Sequence, residues 1–164
     1  MYIDQNLMQR LNAIDDIASI LEIICATSGM RFAAVARVTE QKWTAYCVKD
    51  DANFGLKPGD ELELESTLCN EIRQHHLPIL IDHVSMDQIY QVHHTPKIYG
   101  FQSYISVPIF LKDGSFFGTL CALDKEPLEL KDGVFRQMFV LFTKMIATHI
   151  ESIGMPLSTD RTVS

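Results

Sequence analysis

The stretch that decides the fold is Ser103-Tyr104-Ile105-Ser106-Val107-Pro108-Ile109-Phe110-Leu111-Lys112-Asp113-Gly114-Ser115-Phe116-Phe117-Gly118-Thr119-Leu120-Cys121-Ala122-Leu123-Asp124. Two apolar runs flank a polar break. Asp-Gly is a favoured two-residue hairpin turn because both turn positions need positive φ. With 113–114 as that turn the register follows: Ile105 faces Ala122, Val107 faces Leu120 and Ile109 faces Gly118. This side is small and aliphatic and suits close helix packing. The other side carries Tyr104 with Leu123, Ser106 with Cys121, Pro108 with Thr119 and Phe110 with Phe117. An enclosed sheet face dotted with hydroxyls, a thiol and aromatic rings has what a ligand pocket needs. A face merely covered by a loop or washed by solvent has the same pattern.

Upstream, Leu7, Leu11, Ile14, Ala18, Leu21 and Cys25 recur at spacings of three and four, which predicts one helix over 3–27. Ile17, Ile20 and Ile24 make its apolar face wider than a single packing surface needs. Phe32–Thr39 and Trp43–Lys49 read as strands, and Asp50–Gly59 as a loop. Glu61, Glu63 and Glu65 alternate with Leu62 and Leu64, the period of a half-exposed strand or an extended entry. Ser66 or Thr67 can cap a short helix running to about His76, with Cys69 in its first turn. Pro78 opens a buried strand, Ile79-Leu80-Ile81. Residues 84–101 are polar and irregular, with short helical turns expected. A last helix over Lys131–Ile153 carries a seam of Phe135, Met138, Phe142, Met145 and His149, with Val134, Leu141 and Ile146 beside it. Two terminal helices with surplus apolar width suggest a helical dimer interface, set against a single wide core face. The expected domain is 1–154, with 155–164 a short polar tail.

Composition narrows the function. The 164 residues are 47% apolar and 21% charged, with a net charge of −7 and no cluster of Lys or Arg, so nucleic acid and anionic membrane are poor partners. No apolar run reaches the ~18 residues of a membrane span, and the N-terminus has no basic-then-apolar block, which together suggest a cytoplasmic protein. Cys25, Cys47, Cys69 and Cys121 form no CxxC and read as scattered thiols of a reducing compartment, with Cys25 and Cys47 as small buried hydrophobes.

Three blocks then point to one family: Pro78-Ile79-Leu80-Ile81-Asp82-His83-Val84, Gly100-Phe101-Gln102-Ser103-Tyr104-Ile105-Ser106-Val107-Pro108-Ile109, and Gly114-Ser115-Phe116-Phe117-Gly118-Thr119-Leu120-Cys121-Ala122-Leu123-Asp124. In this order and separation they resemble a GAF domain of the kind found beside bacterial histidine kinases and cyclic-dinucleotide signalling enzymes. The resemblance implies an α+β, GAF/PAS-like fold with a central antiparallel sheet of five or six strands. The N- and C-terminal helices would cover one face, and a roofed ligand pocket would lie on the other. It also implies a histidine kinase or cyclic-dinucleotide enzyme as partner. The family hosts cyclic nucleotides, bilins, haem, small anions and amino-acid derivatives, so membership fixes no ligand or cofactor. The Asn-Lys-Phe-Asp signature of cyclic-nucleotide members is absent. His93-His94 stands where bilin-binding members carry Cys-His, which removes the thioether cysteine. Cys69 approximates one cysteine of the members that reduce free methionine sulfoxide, but 84–101 holds no second one.

Other chemistry is sparse. His75, His76, His83, His93 and His94 fall within twenty residues and, with Asp82 and Asp87, could ligate a metal or haem; surface histidines explain them equally. Cys69, in a first helical turn, would have its thiolate favoured by the helix dipole. No nucleophile elbow or phosphate loop is present. The leading expectation is a non-catalytic sensor that homodimerises through its terminal helices. Its small ligand would bind over Tyr104, Ser106, Thr119 and Cys121 above Cys69, roofed by Asp82, His83, Tyr99 and Phe101. The alternatives are a small thiol-dependent redox enzyme using Cys69 or Cys121, and a ligand-free dimerisation scaffold. Whether the chain stands alone or is cut from a longer protein stays open.

Overall fold

The computed structural model describes residues 2–130 and 133–154. Its core is a six-stranded antiparallel sheet in the order β3-β2-β1-β6-β5-β4. The strands are β1 (Phe32–Val38), β2 (Lys42–Asp50), β3 (Glu61–Glu63), β4 (Ile79–Ile81), β5 (Ser103–Phe110) and β6 (Phe116–Asp124). The expected α+β architecture with five or six strands is what forms.

The β5–β6 hairpin keeps the expected register from Ser103↔Asp124 to Ile109↔Gly118 and then shifts by one, so that Phe110 pairs with Phe116 instead of Phe117. The turn is the cause. Gly114 has positive φ (86°) but Asp113 does not, and Gly114 N–H donates to the Leu111 carbonyl at 2.8 Å. The turn takes in Lys112 as well as Asp113 and Gly114, one residue more than expected, and the change of register becomes a bulge in β6 at Phe117. The bulge sends Phe117 to the helix-covered face, where its ring packs edge-on against Tyr46, and leaves Phe116 on the opposite face. Gly118 is required for a different reason. A Cβ there would lie 1.9 Å from the Ala36 carbonyl oxygen, so β1 and β6 can approach only because the position carries no side chain.

The expected first helix is two helices. α1 (Tyr2–Asn12) and α2 (Asp15–Ser28) are separated at Ala13-Ile14. Asn12 Nδ2 donates to the carbonyls of Met8 (2.9 Å) and Tyr46 (2.6 Å), pinning the end of α1 to β2. Asp15 and Asp16 then sit in the first turn of α2, where the helix N-terminus favours negative charge. The apolar period runs straight through the break, so the pattern alone conceals it. α5 (Val134–Ile153) completes the helical layer; the expected start at Lys131 and the tail 155–164 lie outside the described residues.

Leu7 and Leu11 of α1, five residues of α2, and Phe139, Phe142, Ile146 and Ile150 of α5 bury one sheet face. That face is built from Ala33, Val35, Ile105, Val107, Ile109, Leu120 and Ala122, which includes the aliphatic side expected for the hairpin. Of the expected seam, Phe142 is core and Phe135 and Met138 pack against it, but Met145 faces solvent; of the residues expected beside it, Ile146 is core and Leu141 and Val134 are exposed. The sheet's second face is covered by α3 (Cys69–His75), α4 (His94–Tyr99), 3-10 turns at Leu64–Ser66, Val84–Met86 and Tyr90–Val92, and the loop after β2. Short turns in 84–101 were expected. Asp50 shapes the loop, its carboxylate accepting the N–H groups of Ala52, Phe54 and Gly55. Among the described residues no helix is long and apolar enough to cross a membrane.

Candidate functional site

Between the second sheet face and its cover lies a cavity of about 170 Å3. Its floor is Phe32, Trp43, Tyr104, Cys121 and Leu123 of the sheet. α3 and the residues before it add Thr67, Leu68 and Cys69. α4 and its end add Thr95, Tyr99 and Phe101. The outer edge is closed by Leu62 of β3 and by Phe54 and Leu56 of the loop. Phe101 stacks on Tyr104 (centroids 5.1 Å) and Phe32 meets Phe54 edge-on (5.5 Å), so rings brace the floor against both covers.

Of the residues expected to form the site, Tyr104, Cys121, Cys69, Tyr99 and Phe101 line the cavity. Ser106 and Thr119 are fully buried just beneath it, within 4.0 and 3.1 Å of Cys69 Sγ. Asp82 and His83, expected in the roof, do not line it. Asp82 instead ties down the chain after β6: its carboxylate accepts the Leu130 N–H (2.9 Å) and its carbonyl the Leu128 N–H (3.0 Å). His83 flanks the 3-10 turn at Val84–Met86. Sequence reasoning missed Trp43, Leu62 and Phe54. Strand alternation could have pointed to Trp43, since Trp43 and Ala45 share a face with Leu62 across β2 and β3. Thr95 carried no signal, because nothing in an irregular polar stretch marks which hydroxyl will be buried.

The cover is latched by polar side chains. His93 accepts the Thr95 N–H through Nδ1, capping α4, and its Nε2 meets Glu71 Oε2 of α3 at 2.5 Å. His94 Nε2 reaches the Glu65 carbonyl (2.7 Å), with its ring stacked on His93. Tyr99 Oη bonds Ser66 Oγ at 2.6 Å. His76 stacks on Phe116. These histidines thus have structural partners, and among the described residues no three His, Cys, Asp or Glu side chains converge as metal ligands. Neither Ser66 nor Thr67 caps α3; both hydroxyls turn back to carbonyls, of Glu63 and Leu64.

Electrostatically the four free cysteines divide. Burial pushes the Cys25 thiol up to about 11 and that of Cys47 up to about 12, so both stay neutral. Cys69 goes the other way, to about 6. The neighbouring Cys121 thiol is the main cause, acting against burial, with the Thr119 and Tyr104 hydroxyls at 3.1 and 3.6 Å from Cys69 Sγ adding to it. Cys121 is raised in turn by Cys69 and by burial. Polar neighbours from the sheet thus favour the Cys69 thiolate at the start of α3. Burial raises Tyr104 well above its ordinary value and keeps it a neutral phenol.

The profile of the GAF domain family matches residues 14–153. The chain is a GAF domain. Over 52 residues it is 40% identical to the diguanylate cyclase DgcP of Escherichia coli, a match that spans 32% of this chain and 15% of that protein. The chain thus corresponds to a small part of that relative's length. Among solved structures it resembles the blue-light absorbing form of the PixJ GAF domain from Thermosynechococcus elongatus. The TM-score is 0.68 at 9% identity, covering 99% of this chain and 95% of that one. It also resembles the type II free methionine-R-sulfoxide reductase of Thermoplasma acidophilum (TM-score 0.66, 12% identity, 89% and 96% covered). At these identities the structures share the fold. This GAF domain carries helices on one sheet face and a roofed cavity on the other.

Proposed function

We propose that this GAF domain is a non-catalytic sensor that binds a small molecule in the cavity and homodimerises through its terminal helices. The observation that carries the reading is the ring-lined cavity between one sheet face and its cover, opposite a helical layer with apolar residues left in solvent. Leu141 and Met145 of α5 are 57% and 39% exposed, a position where a second copy of α5 gains apolar burial. Strands β1, β5 and β6 contribute to both faces, so a ligand that moves Tyr104 or Cys121 also moves residues packed on α5. A ligand shifts this equilibrium only by its differential affinity for the two helix arrangements. The likeness to a diguanylate cyclase supports a cyclic-dinucleotide enzyme, or a histidine kinase, as the output partner. Hydrogen exchange tests the coupling, comparing the protein as purified from its host with protein unfolded and refolded to strip small molecules. Stripping is expected to raise exchange in α3 and α4 and also to alter it in α5; a change confined to the cover would defeat the sensor reading.

A second reading rests on Cys69 and Cys121 lining the same cavity. In a thiol-dependent reductase, the Cys69 thiolate would take the oxygen of a small sulfoxide, releasing the sulfide and leaving a sulfenic acid. The Cys121 thiol would then displace water to form a Cys69–Cys121 disulfide, which an external dithiol reduces. The sulfoxide is reduced by two electrons, both drawn from the two thiols. Turnover of free methionine sulfoxide that is abolished by Cys69→Ser supports this reading, and absence of turnover in the reduced protein ends it.

A further inference from the structure

The lining of the cavity constrains what it can hold. No Lys, Arg, Asp, Glu or His side chain reaches it among the described residues. A carboxylate or other anionic ligand would leave water with no cation inside to compensate its charge, and beside the Cys69 thiol. The volume of about 170 Å3 is that of a small ring, since an apolar cavity of about 150 Å3 is known to hold benzene. Phe32, Trp43, Phe54, Phe101 and Tyr104 offer faces and edges suited to another ring.

The polar atoms at the wall are nearly all occupied. Thr67 Oγ1 donates to the Leu64 carbonyl, Tyr99 Oη is held by Ser66, and Tyr104 Oη faces Cys69 Sγ. Thr95 is different. It is 2% exposed, and among the described residues its Oγ1 has no hydrogen-bond partner. Its backbone N–H is fixed by His93 at the start of α4, and the residue lines the cavity. A buried hydroxyl without a partner is uncommon enough to require an explanation. Arg73 Nε is also unpartnered, but Arg73 does not line the cavity.

Building on the sensor reading above, we propose that the cavity takes a small uncharged aromatic molecule, one ring or a fused pair, whose single polar atom hydrogen-bonds Thr95 Oγ1. The ring lies among Phe32, Trp43, Phe101 and Tyr104, and the polar atom points toward α4. A hydroxyl both donates and accepts, so a phenol, an indole N–H or an aryl carbonyl satisfies it equally.

The test is titration calorimetry of the full chain with phenol, indole, toluene and benzoate at neutral pH, on wild type, Thr95→Val and Leu56→Trp. Val matches the shape of Thr, and Leu56 lies on the loop, where a larger ring fills the cavity. Phenol and indole are expected to bind wild type at least about tenfold more tightly than benzoate. Thr95→Val should weaken phenol about tenfold while leaving toluene unchanged, a pattern that a general loss of packing cannot give. Leu56→Trp should abolish binding of all the neutral rings. Equal or tighter binding of benzoate, equal loss of phenol and toluene in Thr95→Val, or no binding by any neutral ring overturns the proposal. Benzoate binding that Leu56→Trp abolishes would overturn the ligand class yet leave the sensor reading standing. Ring binding that Leu56→Trp leaves unchanged would remove the cavity from both.

Discussion

Asp124 is almost wholly buried at the end of β6 yet remains a carboxylate. Burial by itself raises its pKa, but the hydrogen bond from Arg31 and the backbone N–H groups of Glu126 and Arg31 outweigh that, and the net shift is downward. Arg31 grips it with two prongs, Nε to Oδ1 at 2.9 Å and Nη2 to Oδ2 at 3.0 Å, joining the start of β1 to the end of β6. A carboxyl whose folded pKa is depressed contributes stability that is full above the ordinary carboxylate range and lost as pH falls through its folded value. Asp124→Asn is therefore expected to be less stable than wild type near neutrality. In urea unfolding from about pH 7 to about pH 3, the variant should lose stability less steeply, the two curves converging in acid. Parallel curves would show that the pair contributes no proton linkage. Cys69 shows how far one residue could be read beforehand. Its place at the start of α3 was legible from spacing, but its neighbours Cys121, Thr119 and Tyr104 come from strands over thirty residues away, and they set its acidity.

Elements were legible where period and turn agreed. The β5–β6 register followed from Asp113-Gly114 and the alternation of Ile105, Val107 and Ile109, and failed only at Phe117, where the turn's geometry forced a bulge. The join of α1 and α2 was hidden because Leu11, Ile14 and Ile17 keep helical spacing across it, while the break depends on Asn12 reaching a carbonyl of β2. α5 carries an element-scale prediction. Its buried stripe follows Phe139, Phe142, Ile146 and Ile150, and leaves Leu141 and Met145 on the opposite side. Leu141→Glu places charge on the exposed face without touching the core. It is expected to shift the protein to monomer in sedimentation velocity, with the far-ultraviolet circular dichroism unchanged. Removal of one such apolar anchor typically costs an interface about 2 kcal/mol, and a buried charge adds to it. If the variant sediments like wild type, α5 is not the dimer seam.

At the scale of the whole molecule, one sheet serves two purposes. Small aliphatic residues on one face let three helices pack closely; rings, hydroxyls and the Cys121 thiol on the other leave a space the cover does not fill. That division could be read from the hairpin alone, since it needs only the two-residue period of β5 and β6. The rest of the cavity wall could not, because Phe54 and Leu56 reach it from an irregular loop and Thr95 from the short helix α4, whose courses are set by local bonds such as those of Asp50 and His93. The central claim is that the cavity is occupied in the working protein. Native mass spectrometry of the protein purified from its host, wild type beside Leu56→Trp, tests this most directly. Wild type is expected at the dimer mass plus a small adduct absent under denaturing conditions, and Leu56→Trp as a dimer without it. A wild-type dimer that carries no adduct, or an adduct equally retained by Leu56→Trp, would contradict the account.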